Sequence, residues 1–173
     1  MPPHNKVPKG AICQSKVFYN AKWTREVDQK FIKVLVEQAM EGNFRAHGVN
    51  TFVVSAAMVA VNTRFGEDFD YAYCMQRIKK LRKRYQVFKW IIQLSGVSYN
   101  PITHKVDCHQ SMWDYICREE KLGMAYMLEG EHDFDELRWM FQEDDANESA
   151  NNEVEVIEIS SDHGDEDGPD VVR

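Results

Sequence analysis

Seven cationic side chains stand close together in the middle of this chain, and such a group could neutralise the phosphates of a nucleic acid. They are Arg77, Lys79, Lys80, Arg82, Lys83, Arg84 and Lys89. No acidic residue lies between Asp70 and Asp107, although the whole chain carries a net charge of -7. Lys and Arg side chains that neutralise phosphates release condensed counterions, which gives affinity without sequence preference. The segment therefore indicates a polyanionic partner.

The apolar residues of the same segment recur every three or four positions, which is the period of one buried helical face. They are Cys74, Ile78, Leu81, Tyr85, Phe88 and Ile92. The pattern predicts a long helix from about Tyr71 to Gln93, with one side on a core and the other in solvent. The solvent side is predicted to hold Gln76, Lys79, Lys80 and Lys83, flanked by Arg77, Arg82 and Arg84.

If this helix is the second helix of a helix-turn-helix motif, its early residues lie near base edges in the major groove. The predicted DNA-binding residues are Tyr73, Gln76, Arg77, Lys79, Lys80, Lys83 and Arg84. Gln76 can bond N6 and N7 of adenine, and Lys80 or Arg77 can meet O6 and N7 of guanine. Lys83 and Arg84 are predicted to reach phosphates.

The alternative is that these cations form an ordinary solvated face. A solvated helix usually alternates Glu with Lys at positions i and i+4, which stabilises it locally. This segment contains no such acid and bears the self-repulsion of its cations instead. The pattern therefore favours nucleic-acid binding. The string from Lys79 to Arg84 also fits a short nuclear-import signal, so we expect the protein in the nucleus.

Charge is distributed unevenly along the chain. Residues 1–128 contain 19 Lys and Arg against 11 Asp and Glu, whereas residues 129–173 contain 2 against 17. The composition of residues 142–173 cannot bury enough apolar surface to offset chain entropy, which predicts a disordered acidic tail. Residues 1–21 contain three prolines and no helical period, so we predict a flexible basic arm there. A single domain is expected over residues 22–141.

A short β-prone run inside the acidic tail resembles a SUMO-interacting motif. Its aliphatic residues Val156, Ile157 and Ile159 are flanked by acids and serines. Such a peptide binds by adding a strand to an exposed sheet edge, with its aliphatic side chains in a groove. The alternative is an ordinary acidic tail that contains a few aliphatic residues.

Two helices are predicted before the basic segment. The first begins with Thr24 as its N-cap and ends at Gly42. The second runs from Thr51 to Phe65 and stops at Gly66. It is rich in small residues, which allows close packing.

Two more helices are predicted after the basic segment. Residues 95–101 contain Gly, Asn and Pro, which break helical geometry and predict a turn. The next helix is expected from about His109 to Glu120, and the last from Phe134 to Phe141. Asp133 and Glu136 have the spacing of a capping box at the start of the last helix.

Other functional classes have little support in the sequence. Cys13, Cys74, Cys108 and Cys117 form no CxxC pair, so we expect free thiols. No apolar stretch approaches the roughly 20 residues of a membrane helix. The chain also has no Gly-rich phosphate loop, no zinc-ligand spacing and no nucleophile-and-base motif. We therefore expect neither an enzyme nor a metal or cofactor site.

Several weak motifs follow one another in order along the chain. They are Trp23, Gly42-Asn43, Thr51-Phe52, Phe65-Gly66, Gln76-Arg77 with Leu81 and Tyr85, Ser95-Gly96-Val97-Ser98-Tyr99-Asn100, Val106, Trp113-Asp114-Tyr115-Ile116 and Phe134-Asp135-Glu136-Leu137. In this order they resemble the plant Myb/SANT-like DNA-binding domain family, over about residues 22–141. The chain departs from the family at Ala57, where a tryptophan is usual, and at Ile78, where an aromatic residue is frequent.

The resemblance implies an all-α fold with a trihelical, helix-turn-helix core, followed here by additional C-terminal helices and the acidic tail. It also implies double-stranded DNA as the partner, a transcriptional regulator, and kinship with Myb-like proteins encoded by plant transposons. The alternative is a SANT-type interaction module. That module would use the same core to bind a chromatin protein, a transposase or a SUMO-linked partner without touching DNA.

Overall fold

The computed structural model of the protein describes residues 7–41 and 50–142. A short helix α1, Gln14–Val17, precedes three long helices: α2, Arg25–Met40; α3, Thr51–Phe65; and α4, Tyr71–Gln93. The predicted all-α, trihelical core is therefore confirmed. The acidic tail, with Val156, Ile157 and Ile159, lies outside the described residues, as does Gly42.

Local sequence signals set the ends of the long helices. The hydroxyl of Thr24 accepts a hydrogen bond from the Val27 N–H at the start of α2, as an N-cap does. The Asp70 carboxylate accepts one from the Tyr73 N–H at the start of α4. Helix α3 ends at Gly66, whose φ of 68° lies in the left-handed region that glycine adopts without strain. The predicted bounds of α3 and α4 are thus confirmed.

The three long helices bury one another's apolar faces. Phe31 and Leu35 of α2, Ala57 of α3 and Leu81 of α4 are completely buried. Ala57 occupies a position where the family resemblance leads one to expect a tryptophan. Its small side chain allows α2 and α3 to pack closely. Trp23, just before α2, supplies aromatic packing to this core, since its ring lies 5.2 Å from Phe31 and 4.8 Å from Phe69, centroid to centroid.

Residues 98–142, which we call the C-terminal half, cover the second half of α4. A two-residue hairpin, β1 Ser98–Tyr99 and β2 Val106–Asp107, is antiparallel with Tyr99 opposite Val106. Helix α5, Gln110–Glu119, and a 3-10 helix, Lys121–Tyr126, follow. A final helix, α6, occupies 134–142. The two predicted C-terminal helices are therefore confirmed, whereas the predicted turn over residues 95–101 includes the first strand of the hairpin.

The hairpin lies directly against the chain just before α6. An added Cβ at Gly130 would stand 1.7 Å from the His104 carbonyl oxygen, so only glycine fits this approach. The Gln14 amide of α1 donates to the carbonyl oxygens of Glu129 and Gly130, at 3.2 and 2.8 Å. Three distant parts of the sequence therefore meet at Gly130.

Two expectations are corrected by this packing. The flexible arm was predicted to reach residue 21, but Gln14 and Phe18 are buried in the fold because the C-terminal segment supplies partners for them. The capping box is also replaced by another contact, since the Asp133 N–H donates to the Glu131 carboxylate at 3.4 Å. Cys13, Cys74, Cys108 and Cys117 are free thiols, as predicted.

Candidate nucleic-acid interface

Four polar residues of α4 point away from the core and form what we call the basic face: Gln76, Lys79, Lys80 and Lys83. All four are exposed. Neither Lys79 nor Lys80 forms an ion pair with any carboxylate among residues 7–41 and 50–142. Lys83 differs, because its Nζ lies 2.6 Å from Oε2 of Glu120. The basic face therefore offers two unpaired cations and one that is shared with an acid.

The Lys83–Glu120 ion pair lies partly in solvent, since the Lys83 side chain is 54% exposed. Burial by itself raises the pKa of Glu120, but the hydrogen bonds from Lys83 and from the Leu122 N–H, together with the charge of Lys83, outweigh it and leave the pKa lowered. An anion that binds Lys83 must compete with this carboxylate. Lys83 is consequently less available to an anion than Lys79 or Lys80.

Tyr73 lies at the edge of the basic face. Its ring stacks on Phe69, with centroids 5.1 Å apart and planes 3° from parallel. Its hydroxyl lies 3.4 Å from Nδ2 of Asn20. The half-buried ring is thus held by the core, while the hydroxyl reaches the segment that precedes α2.

Arg77 and Arg84 were predicted to flank the basic face, and this prediction is wrong. Their exposed fractions are 5% and 2%. They lie on the buried side because Arg77, Leu81, Arg84 and Phe88 follow one another at intervals of four, three and four, the period of the apolar stripe. The sequence contains this spacing, but Arg77 and Arg84 were assigned to the solvent side because arginine is charged.

Asp28 of α2 holds both arginines. Its Oδ1 accepts hydrogen bonds from Nε of Arg77 at 2.6 Å and from the Trp23 indole N–H at 2.8 Å. Its Oδ2 accepts one from Nη1 of Arg84 at 2.7 Å. Asp28 is completely buried, and a buried charge of this kind persists only when it is paired and hydrogen-bonded. The contacts join α2 to α4 across the core.

A second carboxylate, Glu131, completes the cluster from the C-terminal half. It accepts hydrogen bonds from Nε and Nη2 of Arg84, the first at 3.0 Å, in the bidentate arrangement that suits a guanidinium. The Tyr126 hydroxyl donates to Oε2 of Glu131 at 2.9 Å, the same oxygen that accepts from Nε of Arg84. No sequence period marks Glu131, so its place in the core was not predicted. We call Asp28, Arg77, Arg84 and Glu131 the buried ion cluster.

The buried ion cluster balances two guanidinium groups against two carboxylates. Burial alone raises the pKa of Asp28, but hydrogen bonds and the charges of Arg77 and Arg84 outweigh it and lower the pKa. Burial alone lowers the pKa of Arg84, yet the Glu131 and Asp28 carboxylates raise it well above its ordinary value. The pKa of Asp133 is raised, unlike that of Asp28, although its carboxylate lies 3.3 Å from Nη2 of Arg84. Burial raises its pKa despite the arginine.

Acid should weaken the fold through Asp28. The pKa of this carboxyl is lower in the folded protein than in the unfolded chain, where an Asp titrates near about 3.9. The Asp28 carboxylate therefore stabilises the fold fully above its pKa in the unfolded chain. This stabilisation is lost as the pH falls through its pKa in the folded protein. We expect the difference in unfolding free energy between the wild type and Asp28→Asn, measured by urea denaturation, to shrink from pH 7 towards pH 2. A difference independent of pH would contradict this assignment.

A trihelical core that presents a cationic helix defines the helix-turn-helix class of nucleic-acid-binding domains. A comparison with protein-family models matches residues 22–115 to the Myb/SANT-like DNA-binding domain. The chain belongs to that family. The searches of curated proteins and of solved structures found no match.

Family membership supports a DNA-binding regulatory role in general, and domains of this family are typically not enzymes. In the described ranges, no helix is long and apolar enough to cross a membrane. The same ranges contain no cluster of three or more His, Cys, Asp or Glu residues that could hold a metal ion.

Proposed function

We propose that this protein is a nuclear regulator, or a transposon-derived Myb-like factor, that binds double-stranded DNA through the basic face of α4. The observation that carries the proposal is the exposure of Lys79 and Lys80 without a carboxylate partner in the described part of the chain. A lysine pair that is not neutralised internally can release counterions from a duplex. The opposite side of α4 is buried, so the helix can offer this face without losing its core contacts.

The residues of the basic face suit different parts of a duplex. Gln76 lies in the first half of α4, where a recognition helix meets base edges, and its amide can pair with adenine. Lys79 and Lys80 suit phosphates as well as guanine, whereas Lys83 must first separate from Glu120. Arg77 is removed from the residues that could read bases, and Arg84 from those that could reach phosphates, because the buried ion cluster holds both inside the fold.

A charge-reversal experiment tests this proposal. We expect Lys79→Glu, Lys80→Glu to weaken binding of the full chain to random duplexes and to reduce the salt slope by roughly two, since each lost phosphate contact lowers it by about 0.9. The measurement is a fluorescence anisotropy titration at several salt concentrations. Lys105→Glu is the control for a charge reversal away from α4, because Lys105 is exposed on the hairpin and its charge changes by as much as that of each lysine in the double variant.

Equal affinity and slope in the double variant and the wild type would refute binding through the basic face. The alternative is a SANT-type module that binds a protein. One observation favours it: Arg77 and Arg84 are buried and Lys83 is paired, so α4 exposes fewer free cations than the sequence predicted. It predicts no duplex binding by the wild type even at low salt. A SUMO contact through Val156, Ile157 and Ile159 stays a prediction about the tail.

A further inference from the structure

A small cavity of about 120 Å³ opens between the segment before α2 and the first half of α4. Its lining consists of Asn20, Trp23, Tyr73, Gln76, Arg77 and Lys80. No carboxylate belongs to this lining, and each of the six side chains carries an N–H or O–H donor. The cavity adjoins the basic face because it shares Gln76 and Lys80 with it. Its chemistry suits an anion rather than a cation.

Arg77, which lines this cavity, has one donor that the described residues leave unused. Its Nε donates to Asp28 and its Nη1 donates to the Phe18 carbonyl oxygen, both at 2.6 Å. Its Nη2 is buried and has no hydrogen-bond acceptor among residues 7–41 and 50–142. A buried donor without an acceptor is costly, and native structures rarely keep one without a reason. The guanidinium is also fixed in place, since its carbon lies 5.4 Å from the Trp23 ring centroid.

The lining also contains other polar groups. Lys80 follows Arg77 by one turn and is exposed without a carboxylate partner in the described ranges. Oδ1 of Asn20 accepts from the N–H groups of Lys22 and Trp23, at 3.0 and 2.7 Å. These two bonds fix the Asn20 amide and direct its Nδ2 towards the Tyr73 hydroxyl, where the contact of 3.4 Å is long. Because this contact is weak, Nδ2 of Asn20 and the Tyr73 hydroxyl can both donate to an incoming ligand instead.

We propose that this cavity receives one backbone phosphate of the bound duplex, with Nη2 of Arg77 and Nζ of Lys80 as its charged donors. The inference rests on the proposed function and identifies a backbone phosphate as the ligand of this cavity. A guanidinium held at Nε and Nη1 loses no side-chain freedom when Nη2 meets a phosphate oxygen. Such a contact fixes the register of the helix on the duplex and reads no base. Arg77 thereby contributes to binding from inside the fold.

The two buried arginines of α4 provide a matched test. Both pair with Asp28, but only Arg77 lines the cavity and has an unused donor. We expect Arg77→Lys to bind random duplexes about tenfold more weakly than the wild type, the loss typical of one charge-assisted hydrogen bond. Arg84→Lys should bind like the wild type wherever circular dichroism shows it folded. Equal duplex affinity of Arg77→Lys and Arg84→Lys would overturn the proposal.

A second pair of variants covers the case in which Arg77→Lys fails to fold. Lys79 and Lys80 are neighbours with the same charge, but only Lys80 lines the cavity. In the ¹⁵N-labelled full chain, inorganic phosphate at constant ionic strength should shift the Arg77 Nε–H resonance in a saturable way. The shift should persist in Lys79→Gln and weaken in Lys80→Gln. No shift in the wild type would indicate that a bound water satisfies Nη2 and would overturn the proposal.

The source of the phosphate is decided by repeating the measurement with a duplex. A shift of the Arg77 resonance by both inorganic phosphate and duplex supports the backbone assignment. Duplex binding that leaves this resonance unmoved overturns the assignment while the proposed function stands. A wild type that binds no duplex at low salt refutes the proposed function itself, so the two failures are distinguishable.

Discussion

Arg84→Met is expected to lower the free energy of unfolding by about 3–5 kcal/mol, because removing one partner of a buried ion pair leaves the other charge uncompensated. Arg84 donates to Asp28 and Glu131 together, and both carboxylates are completely buried. Asp28 retains Arg77 and Trp23 in the variant. Glu131 retains only the Tyr126 hydroxyl and an N–H at 3.4 Å among its described contacts. Urea denaturation followed by circular dichroism measures the loss.

Lys83→Met is the matched control for Arg84→Met. Lys83 precedes Arg84 directly and forms its own ion pair with Glu120, but that pair is half in solvent. Exposed pairs of this kind contribute about 1 kcal/mol or less. If both variants lost the same stability, the buried ion cluster would be no more important to the fold than a surface pair.

Phe88→Ala is expected to lower the free energy of unfolding by about 3–5 kcal/mol, through lost apolar burial and the cavity that remains. The Phe88 ring is completely buried. Its centroid lies 4.9 Å from Tyr126, 5.0 Å from Phe134 and 6.0 Å from Tyr99. These three rings belong to the 3-10 helix, to α6 and to the hairpin. The substitution should therefore loosen the whole C-terminal half from α4.

Phe52→Ala makes the same substitution on the outer side of α3, where the phenyl ring is 64% exposed. Surface substitutions of this kind usually change stability by about 0.5 kcal/mol or less. Thermal unfolding of the two variants side by side separates burial from residue type. Comparable losses at Phe88 and Phe52 would show that the C-terminal half does not depend on the aromatic contacts described.

The two large effects have one functional meaning. The buried ion cluster attaches α4 to α2, while the aromatic contacts of Phe88 attach it to the C-terminal half. Together they hold α4 in the rotation about its own axis that leaves Lys79 and Lys80 in solvent. A helix with only an apolar stripe could turn by a fraction of a turn at smaller cost, because dispersion contacts are not directional. Directional bonds from Arg77 and Arg84 resist such a rotation.

Much of the fold could be predicted because its signals are local. Thr24, Asp70 and Gly66 act at helix ends through bonds and dihedral angles that involve only nearby residues. The repeat of apolar positions in α4 likewise needs no knowledge of the rest of the chain. Exposure of Lys79 and Lys80 followed from the same repeat. The hairpin was missed because two-residue strands carry no period that can be read from a sequence.

The sequence by itself determined the long helices, the side of α4 that meets the core, and the family to which the domain belongs. The tertiary structure alone decided what becomes of Arg77 and Arg84. A guanidinium in a sequence gives no sign of whether its acceptors are water and phosphate or carboxylates such as Asp28 and Glu131, which lie 49 and 47 residues from their partners. Only folding brings those carboxylates within hydrogen-bond distance, and that proximity turns two apparent surface cations into part of the core.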